Sequence, residues 1–271
     1  MIGAIVYRLR AEDSARMPAV HGKLLHGVLF RKLQQFSSDL SAYVHGEMNI
    51  KPFTSAQLQW VGKPPKKQDG NYYLQGGEAC FWRVTALQEI LLQSLLEWET
   101  GSVIRIGTAH FLLEKVMANP DEHTESGIMD ENELIAACLR VQVIHNITFQ
   151  FISPVSFRYF QQDMPLPKPE LIFGSIADKW NQAEMPICLD KEEIRELAMQ
   201  CDLIRWEGKS CKTFFSPQHG VNGFTGAFTF DVSKIDLQYR QLLLLLAQYS
   251  VFSGVGRLTG QGMGQSRVLF K

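Results

Sequence analysis

The stretch "LLLLLAQYSVFSGVGRLTGQGMGQSRVLFK", Leu242–Lys271, decides the fold. Its first part belongs to a helix running from Leu237 to Phe252, and its last residues, Arg267–Phe270, read as a short strand. Between them five glycines, Gly254, Gly256, Gly260, Gly262 and Gly264, fall within eleven residues. Glycine is needed where φ is positive, or where another backbone or a phosphate comes close. A dinucleotide fingerprint would need a strand before the glycines and a βαβ unit around them, whereas here a helix precedes them. A P-loop fails as well, because no glycine is followed by Lys and Ser/Thr. Two readings stay open: a tightly turned loop before an edge strand, and a loop that holds a ligand's backbone.

Outward from that loop, the second half of the chain reads as one repeating cycle. Residues Leu139–Phe157 form a long strand, Pro167–Ala183 a helix with Pro169 near its first turn, and strands follow near Asp202–Trp206, Cys211–Phe215 and Gly226–Val232. The first half repeats the order. Ile2–Arg10 is a β-branched strand, and Pro18 opens a helix with Val20, Leu24, Leu25, Val28, Leu29 and Leu33 at helical spacing. Strands in Lys51–Trp60 and Ala79–Leu87 flank the turn-rich "GKPPKKQDGNYY", and a helix over Leu87–Trp98 precedes strands at Val103–Ile106 and Ala109–Val116. The polar, acidic stretch Ala118–Glu133 lacks periodic hydrophobic residues and separates the halves. The expected fold is therefore α+β, two tandem ferredoxin-like (RRM-like, βαββαβ) domains over residues 1–120 and 134–271.

Composition narrows the function. No apolar run approaches the roughly 18 residues of a bilayer span, and "MIGAIVYRLR" reads as a strand rather than a signal peptide, so no membrane role and a cytoplasmic location are expected. Five cysteines without a CxxC pair argue for reduced thiols, with no metal site and no cofactor. Net charge is -1, but Ile204–Lys271 holds eight Lys/Arg against three Asp/Glu, while Glu131–Leu203 holds six against eleven. Such a basic face suits phosphate, and equally a solvated surface balanced by its neighbour.

The glycine pattern Gly254-Val255-Gly256, five residues, then Gly262-Met263-Gly264 resembles the G-h-G-x5-G-h-G loop (h hydrophobic) of the RAMP superfamily of CRISPR-associated RNA-binding proteins. Together with "KPFTSAQL", "FISPVSF" and "PLPKPELIFGSIADKWN", it resembles the CRISPR repeat-cleaving endoribonucleases of the Cas6 type across both halves of the chain. That resemblance implies a metal-independent endoribonuclease. The RNA's own 2′-hydroxyl attacks the adjacent phosphate of the precursor transcript, leaving a 2′,3′-cyclic phosphate, a 5′-hydroxyl and released guide RNAs. Its partners would be CRISPR repeat RNA, with a CRISPR interference complex and a second copy of the chain as further candidates.

By the same resemblance His45 is the general acid and Lys51, six residues later, the transition-state stabiliser, matching the needs of proton transfer and phosphorane charge. Several relatives carry a tyrosine on the first helix where this chain has Phe30, which has no hydroxyl. His26, four residues earlier on the same helical face, is the candidate replacement base, the alternative being a packed histidine with one satisfied nitrogen. The other histidines, His21, His110, His123, His145 and His219, read as structural or surface residues. For RNA contact the candidates are Gly254, Gly256, Arg257, Gly262, Gly264 and Arg267, with Lys63, Lys66, Lys67, Arg205, Lys209 and Lys212 as further cations. Three rivals compete: a non-catalytic RAMP subunit that holds guide RNA, a tandem RRM protein, disfavoured by the lack of its aromatic signature, and a metal-dependent nuclease, disfavoured by the lack of a carboxylate cluster.

Overall fold

The computed structural model describes residues 1–46, 50–216 and 218–271. They divide into two compact units, Met1–Ile128 with Gly260–Gly262, and Met129–Thr259 with Met263–Lys271.

The first unit is organised around the strand Ile2–Ala11, buried along nearly its whole length. It pairs antiparallel with Ala79–Ala86 on one side and Ala109–Met117 on the other. Phe53–Ser55 and Val103–Ile106 extend the sheet outward. This order, with the second strand outside the third and the first beside the fourth, is that of a βαββαβ unit. Helices Gly22–Phe36 and Glu89–Leu96 bury Leu25, Val28, Leu29 and Leu33, and Leu91, Leu92 and Leu95. Each such side chain contributes roughly 2 kcal/mol of apolar burial. Tyr7 stacks on Trp98 with centroids 4.4 Å apart and donates its hydroxyl to Leu95 O at 2.8 Å.

Two expectations change here. Pro18 does not open the first helix but ends a strand, Ala15–Pro18, which pairs with Asn71–Leu74. The turn-rich segment supplies that partner: Lys66–Gln68 and Asn71–Leu74 form a hairpin around Asp69 and Gly70, whose φ values of 50° and 72° suit an Asp-Gly turn. The acidic stretch between the halves is also ordered, with a strand at Gly127–Met129 and a helix, Glu131–Leu139, capped by the Asp130 carboxylate.

The second unit has the same strand order, Asp202–Ser216, His219–Asp231, Asn146–Val155 and Ser266–Phe270, all antiparallel. The two strands expected near residues 202 and 211 are one 15-residue edge strand. Helix Pro169–Gln182 begins with proline in its first turn, where no hydrogen bond is lost, and helix Leu237–Ser253 leads into the glycine loop. Phe149, Phe151, Phe173, Phe228 and Phe230 fill the space between sheet and helices. A short hairpin, Phe157–Tyr159 with Gln162–Met164, leaves this sheet. Among the described residues no helix is long and apolar enough to cross a membrane.

Candidate active site

His26 lies on the helix Gly22–Phe36, one turn before Phe30, and the two rings are 4.8 Å apart. Phe53, first residue of its strand, packs at 5.6 Å from His26 and 5.8 Å from Phe30. His45 meets the same cluster, its ring edge-on to Phe30 at 5.5 Å. Phe30 thus packs against both imidazoles.

The helix carrying His45, Ser38–Gly46, begins where the first helix ends. Ser37 terminates the first helix, its N–H bonding Leu33 O, and its hydroxyl accepts from Leu40 N at 3.2 Å as a cap for the second. At the far end Lys51 Nζ donates to Val44 O (2.7 Å) and His45 O (2.9 Å). A cation there satisfies carbonyls that have no helical partner and faces the negative end of the helix dipole. Burial lowers the Lys51 pKa. Residues 47–49, between His45 and Lys51, lie outside the described residues.

His26 Nδ1 lies 3.0 Å from Gly260 O, and both residues belong to the first unit. A carbonyl can only accept, so Nδ1 carries the proton and Nε2 keeps its lone pair in the neutral ring. Burial lowers the pKa of His26; the Gly260 bond opposes this, and the charges of Lys51 and His45 add to the lowering. At neutral pH the ring is therefore an unprotonated base. His21 has the same tautomer but a different fate: Nδ1 meets Pro18 O at 3.2 Å, and Nε2 accepts from Leu58 N at 2.8 Å. Burial brings its pKa to about 4. Both its nitrogens are spent on structure.

The glycine loop is tightly built. Gly254, Gly256, Gly262 and Gly264 have φ of 64°, 72°, 94° and 74°, a region that disfavours any Cβ. At Gly256 a Cβ would meet Ser156 O, and at Gly264 it would meet Val255 O. The amides of Gly254, Val255, Gly256, Arg257 and Gly264 bond Ser250 O, Gly264 O, Ser175 Oγ, Ser156 O and Pro154 O in turn. Gly254, Gly256 and Gly264 therefore serve close packing within the second unit, and their amides are already engaged. The buried Lys179 donates to Gly254 O at 2.9 Å, and burial brings its pKa to about 7.

Arg257 is similarly committed: its Nη2 lies 2.7 Å from Asp163 Oδ1, with both side chains less than a quarter exposed. Arg267 is exposed on the terminal strand. Lys63, Lys66, Lys67, Arg205 and Lys209 are exposed as well. Sequence reasoning missed the Gly260 carbonyl, Phe53 and Lys179, because each matters through a partner remote in the chain. Among the described residues no three His, Cys, Asp or Glu side chains converge as a metal would require.

Two βαββαβ units, the first with paired histidines around an aromatic ring and the second with a G-h-G-x5-G-h-G loop, define a protein of the RAMP class. More narrowly, the chain belongs to the Cas6 family: the CRISPR Cas6 N-terminal domain matches residues 3–129, and the CRISPR-associated endoribonuclease Cas6 matches residues 149–266. Among curated proteins it is similar to the CRISPR-associated endoribonuclease Cas6 of two Mycobacterium tuberculosis strains, CDC 1551 / Oshkosh and H37Rv. Each is 30% identical over 122 residues, 44% of this chain and 37% of the relative. The match thus spans little more than a third of those relatives' length. Among solved structures, a Cas6 product complex superposes with a TM-score of 0.79 at 29% identity over 99% of both chains. Thermus thermophilus Cas6 gives 0.71 at 27% over 99% and 98%. A Cas6-related protein from Pyrococcus furiosus, at 13% identity over 99% of both chains and a TM-score of 0.64, shares the fold.

Proposed function

We propose that this chain is an endoribonuclease that cuts the repeat RNA of a CRISPR transcript to release guide RNAs, using the substrate's own 2′-hydroxyl as nucleophile. The observation that carries it is the His26 ring, held by Gly260 O, with no donor to Nε2 among the described residues, 4.8 Å from a phenylalanine that also touches His45. His26 Nε2 takes the proton of the 2′-hydroxyl as the 2′-oxygen bonds to phosphorus. The bond from phosphorus to the 5′-oxygen breaks, and protonated His45 gives that oxygen its proton. The products are a 2′,3′-cyclic phosphate and a 5′-hydroxyl. Such a division of labour needs one imidazole neutral and one charged, and the lowered pKa of His26 supports the neutral role for it. Lys51 supplies positive charge beside the reacting phosphate and, through the carbonyls of Val44 and His45, steadies the helix end that bears the acid. With nucleophile, base, acid and cation all accounted for, the reaction requires no metal. Arg267 and the lysines of the exposed strands are the candidate phosphate contacts.

The residue Phe30 favours one second reading, a RAMP subunit that binds guide RNA without cutting it, since a hydroxyl is missing where several relatives have tyrosine. Incubation with the cognate repeat RNA in EDTA separates the two. Cleavage that persists in EDTA and vanishes when the cut site is 2′-deoxy supports the enzyme; tight binding with no cut supports the subunit.

A further inference from the structure

The short hairpin of the second unit turns on Phe160 and Gln161, with φ of 45° and 63°. A two-residue turn with both residues left-handed favours Asn-Gly or Asp-Gly, because a bulky side chain resists positive φ. The Asp69-Gly70 turn of the first unit follows that preference. Here an aromatic residue occupies the position instead. Phe160 is 83% exposed, beside Tyr159 at 47%, and the two rings meet edge to face with centroids 4.5 Å apart. Each ring braces the other while Phe160 projects into solvent.

The base of this hairpin is anchored. Asp163 Oδ1 accepts from Arg257 of the glycine loop at 2.7 Å, and Oδ2 accepts from Asn222 N at 2.9 Å. Arg158, exposed beside Tyr159, donates to Gln161 O at 3.4 Å across the turn. The hairpin's one carboxylate, Asp163, is therefore matched by Arg257, and Arg158 leaves the tip positive.

We propose that Tyr159 and Phe160 form a stacking platform for an unpaired nucleobase of bound RNA, with Arg158 holding the adjacent phosphate. The inference rests on the RNA-processing reading above. Exposed rings beside a cation are what a single-stranded base needs, since every base offers a π-face and no pocket is required. A strained backbone that presents a ring, at a turn where Asn-Gly would relax, points to function at the tip.

The test replaces the turn. The variant Phe160→Asn/Gln161→Gly restores a relaxed Asn-Gly turn, so its melting temperature stays level or rises. Its affinity for the repeat RNA with single-stranded flanks falls about tenfold, the loss of one stacked base. The slope of log affinity against log salt stays unchanged, because stacking releases no counterions, whereas Arg158→Ala lowers that slope by about one phosphate contact. Phe160→Ala, with the backbone otherwise kept, gives the same loss should the turn variant fold poorly. Wild-type affinity in both variants overturns the platform and leaves the ring pair as an anchor for a protein partner. Failure of the RNA-processing reading looks different: the wild-type protein itself neither cuts the repeat nor prefers it to unrelated RNA of equal length.

Discussion

His26 and His21 sit one and a half helical turns apart, share a tautomer, and differ in one bond. Leu58 N–H occupies Nε2 of His21, whereas among the described residues no donor reaches Nε2 of His26. Among the described residues, only the second ring keeps a nitrogen open to a proton, as the proposed base requires. Replacing His26 or His45 by Ala is expected to slow cleavage of repeat RNA by 10²- to 10⁴-fold, the usual worth of a general base or acid, with RNA affinity little changed. The pH profile carries a further signature. In the proposed mechanism the base works when neutral, and the pKa of His26 lies below 6.5, so the acidic limb of the single-turnover rate is expected below pH 6.5. The charge of Lys51 contributes to that lowering. Lys51→Met should therefore move the limb upward toward 6.5, cutting the rate at pH 6 by more than at pH 8. A limb that stays in place in Lys51→Met would show that the cation does not tune the base.

Whole elements were legible in the sequence where periodicity and burial agree. The long central strands, the helices Gly22–Phe36, Pro169–Gln182 and Leu237–Ser253, and the terminal strand could all be read from apolar spacing, because each has a core face. The helix bearing His45 could not: in "SDLSAYVHG" only Val44 is buried, and its ends depend on Ser37 and Lys51. The small sheet of Ala15–Pro18, Asn71–Leu74 and Lys66–Gln68 was equally hidden, since its strands are short and its pairing joins residues far apart in sequence. The glycine cluster was visible, but its reason was not: Gly256 is crowded by Val155 and Ser156, and Gly264 N–H bonds Pro154 O, about a hundred positions earlier. Gly256→Ala and Gly264→Ala each combine positive φ with a Cβ driven into a backbone carbonyl. Each should cost about 1–3 kcal/mol of stability, as read by urea unfolding. Gly46→Ala, with nothing within 4 Å of its Cβ among the described residues and an α-helical setting, should cost nothing measurable.

Across the molecule, burial strongly lowers the pKa of a basic group in each unit, His21 in the first and Lys179 in the second, and the two act in different pH ranges. In the first unit His21 has a folded pKa of about 4 against 6.5 when unfolded. Above 6.5 both states are neutral; as pH falls through 6.5 the unfolded chain binds the proton first, so stability drops. Between pH 7 and 4 this amounts to about 3 kcal/mol. In the second unit Lys179 has a folded pKa of about 7 against 10.5 when unfolded. Through the interval between those values the unfolded chain holds a proton that the folded one lacks, so stability rises with pH. From pH 7 to 9.5 the gain is about 3 kcal/mol. Native-state hydrogen exchange reads the two units separately in one sample. Amides of Ile2–Ala11 should lose protection from pH 7 to 4 once corrected for intrinsic exchange. Amides of Asn146–Val155 should gain it from pH 7 to 9.5. Lys179→Met has nothing to titrate, and its second unit should show no gain in protection over the alkaline range while the first unit's acid response is unaltered. An alkaline gain that survives in Lys179→Met would assign it to another group and deprive the buried amine under Gly254 of its role in holding the loop's pH response.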